Sequence, residues 1–167
     1  MRHPLSRALQ MSLAGHLPPA DDNVSVITVS RISWDIGFHP AFETWANSLA
    51  QPDGEALLAA LRILRDEGPA LGRPLVDSVV GSRHSNMKEI RPGSTGRTEI
   101  RALFAFDKKR RAILLVGGDK NDDWSGWYQR NIPIADDRFD EHQGRLTKET
   151  AAAIKQLKAQ KKGRTKK

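Results

Sequence analysis

The sequence predicts a small α+β domain: a short antiparallel or mixed sheet with two N-terminal helices on one face and a further helix at the C-terminal end. Three observations predict it. Residues 34–38 alternate Trp34, Ile36 and Phe38 with Asp35 and Gly37, the period of a strand with one buried face. Residues 40–67 carry two apolar stripes at helical spacing. Residues 87–116 hold three strand-like segments in close succession, divided by turn formers.

Each element has a local reason. His39-Pro40 starts the first helix, because a proline at the first helical position gives up an N–H that would have had no partner there. Phe42, Trp45, Ala46 and Leu49 then recur at three- and four-residue steps. Past Gln51-Pro52, with Asp53 expected as N-cap, Leu57, Leu58, Leu61 and Leu64 repeat the pattern until Gly68-Pro69. Residues 71–85 read as a turn-rich loop with a short strand at Val79-Val80. Residues 87–91, 99–106 and 112–116 follow as strands. The middle one alternates, with Ile100, Ala102, Phe104 and Phe106 on one face and Glu99, Arg101, Leu103 and Ala105 on the other. PGSTG (92–96) and DKKRR (107–111) are the turns between them. A helix is expected over residues 133–146, with Ile134, Phe139 and His142 packing on the sheet, and residues 147–160 have helical propensity that depends on a partner. With both early helices on one face, the opposite face is expected to be open for binding.

The domain is therefore bounded at residues 31–146, preceded by a poorly ordered extension (1–30) from an upstream start codon and followed by a basic helix or tail (147–167). A chain of 167 residues suits one domain of this size. It has no Cys, which excludes disulfides, a thiolate nucleophile and a Cys-based zinc site and agrees with a cytoplasmic protein. His16, Pro18, Pro19, Asp21 and Asp22 interrupt any N-terminal apolar stretch, so neither a signal peptide nor a membrane span is expected.

The net charge of +7 needs locating before it is interpreted. Seven cations and no acid lie beyond residue 150, so the rest of the chain is neutral overall, and this end reads as a solvated tail. Within the body, residues 83–111 carry nine basic and three acidic side chains, which makes this stretch the better phosphate-facing surface. Arg91 and Arg101 stand on neighbouring strands with their forked guanidinium groups, a fit to phosphate oxygens. The same residues also fit a solvated face on which Arg91, Glu89 and Glu99 form cross-strand ion pairs. His84, on the loop before the strands, has the proton-carrying side chain whose ordinary pKa is nearest neutrality. Trp124 and Trp127 suit either stacking on unpaired bases or packing against the last helix. The five histidines lack metal-ligand spacing, and Gly117-Gly118 lacks the rest of a phosphate loop, so neither metal nor cofactor is expected.

The string MKEIRPGSTGRTEIRALFAFDKKRRAILLVGGDK (87–120) resembles the central strands of the RelE/HigB superfamily of toxins, in particular its phage-derived branch. WDIGFHPAFETWANSL (34–49) is similar to that family's opening strand and helix, and WYQRNIPIADDRFDEH (127–142) to its closing segment; together they cover about two-thirds of the chain. The resemblance implies a RelE-like fold and a type II toxin: a metal-independent endoribonuclease that cuts messenger RNA on the ribosome by attack of the substrate's own 2′-hydroxyl. It also implies a small helix-turn-helix antitoxin as partner. By the same resemblance Arg101 matches the strand arginine at the scissile phosphate and Arg91 a basic position beside it. Lys120 matches the lysine closing the last central strand, and Tyr128 falls near a tyrosine that serves some members as acid or base. Lys88, Arg97 and Trp127 join Arg91 as expected RNA contacts. Asn121 stands where some members are basic, and Asp119, Asp122 and Asp123 make that neighbourhood more acidic than the family's. Two other classes remain open: a non-catalytic RNA- or ribosome-binding module, and a regulatory partner protein.

Overall fold

The computed structural model describes residues 33–93, 96–121 and 123–164, and the expectations for residues 1–30 lie outside these. The elements are β1 (Asp35–Phe38), α1 (Pro40–Ala46), α2 (Gln51–Glu67), a 3-10 turn (Gly68–Ala70), β2 (Val76–Ser78), β3 (Met87–Ile90), β4 (Ile100–Phe106), β5 (Arg111–Asp119) and α3 (Trp124–Arg164). The five strands form one mixed sheet in the order β1-β5-β4-β3-β2, with β1 parallel to β5 and the other pairs antiparallel.

One face of this sheet is covered by α1 and α2. Phe42, Leu57, Leu61 and Leu64 pack on Val76, Ile90, Ala102, Phe104, Ala112 and Leu114, so the alternation in β4 points where the sequence predicts. The N-cap of α1 is His39, whose Nδ1 accepts a hydrogen bond from Ala41 N at 3.2 Å, with Pro40 in the first turn. Helix α2 begins at Gln51, three residues earlier than expected, and its N-cap is Ala50, not Asp53. Instead Asp53 is buried inside the first turn and accepts a bond from Thr98 Oγ1 at 2.8 Å, tying α2 to the strand leading into β4. Gly68 ends α2 at φ 58°, in the left-handed region that favours glycine, with the Trp34 indole where a Cβ would stand. The short strand in the loop is Val76–Ser78 and precedes the expected Val79-Val80.

The second face is covered over its middle and is not the open surface expected. Helix α3 starts at Trp124, nine residues before the expected Pro133, and Trp127, Ile132, Ala135 and Phe139 pack on Met87, Leu103, Ala105, Ile113, Leu115 and Val116. Asp123 caps it, accepting from Gly126 N at 3.1 Å. Pro133 lies within the helix on its exposed side, where water can serve the carbonyl left without an amide partner. Phe139 turns inward as expected, with His142 half-buried against it, but Ile132 and Ala135 take the inward place expected for Ile134, which is exposed. A bulge between β4 and β5, where Leu103 opposes Val116 and Phe104 opposes Leu114, puts both Leu115 and Val116 on the α3 side. Arg138 of α3 donates to the Leu115 carbonyl at 2.6 Å, satisfying a group the bulge takes out of the ladder. Beyond residue 146 the helix continues as a projecting arm whose described side chains, through residue 161, are exposed.

Candidate functional site

Helix α3 covers the middle of the second face and leaves one end of it partly open. There β3, β4 and the start of α3 bring together Glu89, Arg91, Arg101 and Tyr128. Glu89 and Met87 share a face of β3, and Glu89 is registered with Leu103, two residues along β4 from Arg101. Arg101 is registered with Gly118 of β5, where the missing side chain makes room for Trp127: a Cβ there would stand 2.5 Å from the indole Nε1. On the other face a Cβ at Gly117 would stand 2.0 Å from the Trp45 ring. The two glycines thus let an indole lie flat on each side of β5, which explains a pair that carries no phosphate-loop motif.

The carboxylate of Glu89 is the centre of the cluster. It is buried, accepting from Tyr128 OH at 2.5 Å on one oxygen and from Arg91 Nε at 2.8 Å and Nη2 at 2.5 Å on the other. Arg91 also donates to Asp77 Oδ2 at 2.8 Å, across to β2. Arg91 and Glu89 therefore do pair, but along one strand and with Glu89 buried, not across strands on a solvated face, and Glu99 pairs with Lys120 instead. Burial, reinforced by the hydrogen bond to the Glu89 carboxylate and its charge, pushes the Tyr128 hydroxyl up to about 12, against an opposing pull from Arg101 and Arg91. At neutral pH Tyr128 is therefore a firmly held proton donor, unsuited to act alone as a base. Arg101 is half-buried; Nη1 donates to the Ile100 carbonyl at 2.8 Å and its buried Nε has no hydrogen-bond partner among the described residues. A guanidinium near a tyrosine hydroxyl and a carboxylate, with a donor unused, can hold an anionic group beside a proton-transfer pair.

The other sequence candidates are placed differently. Lys120 is buried, not open to substrate: its ammonium lies 3.4 Å from Glu99 Oε2 and 4.4 Å from the centre of the Trp124 ring. Trp127 is also buried, in edge contact with Tyr128 at 5.1 Å, so it forms a wall of the site and has no face free for a base. Lys88 falls on the α1–α2 side of the sheet with Ile90, because residues alternate along β3. Arg97 is exposed on the connection before β4, with its carbonyl accepting from Asn121 Nδ2 at 2.6 Å. His84 lies at the opposite end of the sheet, 2.9 Å from Asp140 Oδ1 and edge-on to Phe139. Asp140 is twelve residues along α3 from Tyr128, about 18 Å at 1.5 Å per residue, so His84 is not brought to Arg101.

Sequence reasoning missed Glu89 as a member of the site. The available signal was its position, a carboxylate on the same strand face as buried Met87 and beside two cations. It also left Trp124 undecided, and this is the exposed indole at the site. Cavities lie elsewhere: one of about 460 Å³ between Phe106, Phe139, Leu146 and Ile154 and one of about 250 Å³ beside His39 and His142. They are apart from Arg101, and the chemistry of the side chains is the better guide to the site. Among the described residues no group of His, Asp and Glu is arranged to hold a metal ion, and no helix is long and apolar enough to cross a membrane.

The sequence of this domain matches a defined class. The family described as phage derived protein Gp49-like fits residues 44–140, more than half of the chain, and the chain belongs to that family. It is similar to two proteins of Mycobacterium tuberculosis: "Putative toxin HigB2", 55% identical over 98 residues, and "Putative toxin HigB3", 50% identical over 99. Each match takes in 59% of this chain, and they span 49% of HigB2, about half its length, and 84% of HigB3. Solved structures of the Escherichia coli toxin RelE also match: one of a mutant in the free state (TM-score 0.45, 14% identity, 58% of this chain and 92% of that one) and one of the isolated toxin (TM-score 0.44, 15% identity, 59% and 98%).

Proposed function

We propose that this chain acts as the toxin of a type II toxin–antitoxin pair, a metal-independent endoribonuclease that cuts messenger RNA in the ribosome and so halts translation in the cytoplasm. One observation carries the reading: Arg101, Tyr128 and the Glu89–Arg91 pair converge at one sheet end in a chain whose relatives are named as toxins. The partner that restrains it is a small helix-turn-helix antitoxin encoded by the neighbouring gene.

In this reaction the 2′-hydroxyl of one nucleotide attacks the adjacent phosphorus, and the bond to the 5′-oxygen of the next nucleotide breaks. The products are a 2′,3′-cyclic phosphate and a 5′-hydroxyl. Three tasks fall to the protein. Arg101 binds the phosphate and stabilises the charge that builds on its oxygens in the transition state. Tyr128 takes the proton of the 2′-hydroxyl as its own proton passes to Glu89, so that no free tyrosinate forms. The reverse transfer then delivers a proton to the departing 5′-oxygen. Arg91 keeps Glu89 oriented and its charge balanced, acting as a positioning residue.

The second reading, an RNA- or ribosome-binding module without catalysis, draws on the burial of Lys120 and the involvement of Arg91 in two ion pairs. Induction of the protein without its partner separates the two. Growth arrest with fragmented messenger supports the enzyme; arrest with intact messenger, at verified levels of soluble protein, supports the binding module; and normal growth refutes both.

A further inference from the structure

Of the four tryptophans, Trp124 is the one whose side chain is exposed, at 68%; Trp127 is buried and Trp34 and Trp45 are half-buried. A single exposed apolar side chain needs no explanation by itself, but the position of this one is specific. It is the first residue of α3, fixed there by the Asp123 cap. Its ring lies edge-on to Tyr128, with centroids 6.0 Å apart, and the Lys120 ammonium sits 4.4 Å from its centre. Lys120 is thus buried under the ring, held also by Glu99, and occupies one of its faces. The arrangement anchors the indole in orientation and leaves it largely exposed, one ring away from the hydroxyl bonded to Glu89.

We infer that Trp124 is a nucleobase-stacking subsite, taking an unpaired base of the single-stranded RNA next to the phosphate held at Arg101. This rests on the ribonuclease reading for the identity of the phosphate, and adds where the neighbouring base goes. Stacking on an aromatic face tolerates any base but favours the larger rings of purines. The cation beneath the ring gives the face a positive bias, which favours an electron-rich adenine or guanine. A nucleobase fits better here than an apolar protein segment for two reasons: the indole is bordered by the buried ammonium and the acid–cation pair of Asp123 and Arg130, a polar rim, and its nearest aromatic neighbour belongs to the cluster that would hold phosphate. The sequence left stacking open for both Trp124 and Trp127; burial assigns it to Trp124.

The test uses the full chain and hexamers of adenylate or uridylate carrying 2′-O-methyl groups, which lack the attacking hydroxyl and stay intact. Binding is followed by tryptophan fluorescence and by a competition readout that does not depend on the indole. The wild type is expected to bind the adenylate hexamer more tightly than the uridylate, with quenching of emission. Trp124→Ala should lose roughly 5- to 150-fold in affinity, the range for one base–aromatic stack, together with the adenine preference. Trp124→Phe should retain most of both, and an unchanged melting profile should accompany both variants. Failure of the wild type to bind either hexamer, or binding by Trp124→Ala equal to the wild type, overturns the subsite; so does a Trp124→Ala variant that keeps RNA but loses a protein partner. A wild type that shows the Trp124-dependent adenine preference but never cuts messenger keeps the subsite and refutes the ribonuclease reading instead.

Discussion

Replacing Arg101 by alanine separates a functional role from a structural one. The side chain is half-buried on β4 and donates a hydrogen bond to the carbonyl of its neighbour Ile100 at 2.8 Å. Such a bond contributes about 0.5–1.5 kcal/mol net. Against that loss stands the release of a buried Nε that has no partner among the described residues, a group costly to keep out of water. The two effects oppose each other, so Arg101→Ala is expected to change stability by no more than about 1 kcal/mol. Cleavage should fall much further. A donor aimed at the charge developing on a transferring phosphate is worth on the order of 10²–10³ in rate, or about 3–4 kcal/mol of barrier. The assays are a thermal melt and single-turnover cleavage of messenger on programmed ribosomes. A variant that melts far below the wild type refutes the view of Arg101 as a surface-end functional group; one that melts and cuts normally refutes the assignment of the active face.

Two further predictions concern buried protons. Tyr128 is held protonated up to about 12 by burial and Glu89, against about 10 for an ordinary tyrosine, so its contribution to stability is full below pH 10 and is lost as the pH rises toward 12. Alkaline unfolding should show this decline in the wild type and lack it in Tyr128→Phe, which should also lose cleavage; an identical alkaline profile for both contradicts the Tyr128–Glu89 bond. Asp107 ends β4 almost completely buried, accepting from Lys109 N, Arg111 N and Arg111 Nε, with His142 of α3 at 2.9 Å. Burial works to raise its pKa, but the bonds from His142 and Arg111 overcome this and hold it below the usual range. Its stabilisation is therefore present above the ordinary aspartate pKa and is lost as the pH falls through the lower folded value. Asp107→Ala is expected to cost about 3 kcal/mol at pH 7 in urea unfolding, with the gap to wild type closing in acid; equal stability at pH 7 contradicts the role.

The strands were legible in the sequence because the sheet is covered on both sides: β4 shows Ala102 and Phe104 to α1 and α2 and Leu103 and Ala105 to α3, an alternation that needs no further context. The beginning of α3 was not. Pro133 is a strong signal for a helix start, and its tolerance here depends on lying on the exposed side, a tertiary fact. A start at Pro133 leaves Trp127 and Ile132 outside the helix, so Ile134 stood in for Ile132 on the buried side and the cover over the second face read as shorter than it is. Trp124 and Trp127 stand three residues apart, a spacing that puts both on the same side of a helix, so spacing in sequence could not say which indole meets solvent. Arg91 and Arg101 stood out by charge and strand position as well as by the family resemblance, Tyr128 by the resemblance alone, and the fold places them at one sheet end with Glu89. Lys120 was named on the same grounds and lies under Trp124, since the chain leaving β5 turns back into the cap of α3.

The most direct test of the central claim is to map the ends of messenger RNA after adding the purified protein to translating ribosomes. The account predicts new internal 5′-hydroxyl ends on ribosome-bound messenger, matched by upstream fragments closing in a 2′,3′-cyclic phosphate, and their disappearance with Arg101→Ala. Messenger that stays intact with folded wild-type protein present, or fragments that carry 5′-phosphates, would contradict it.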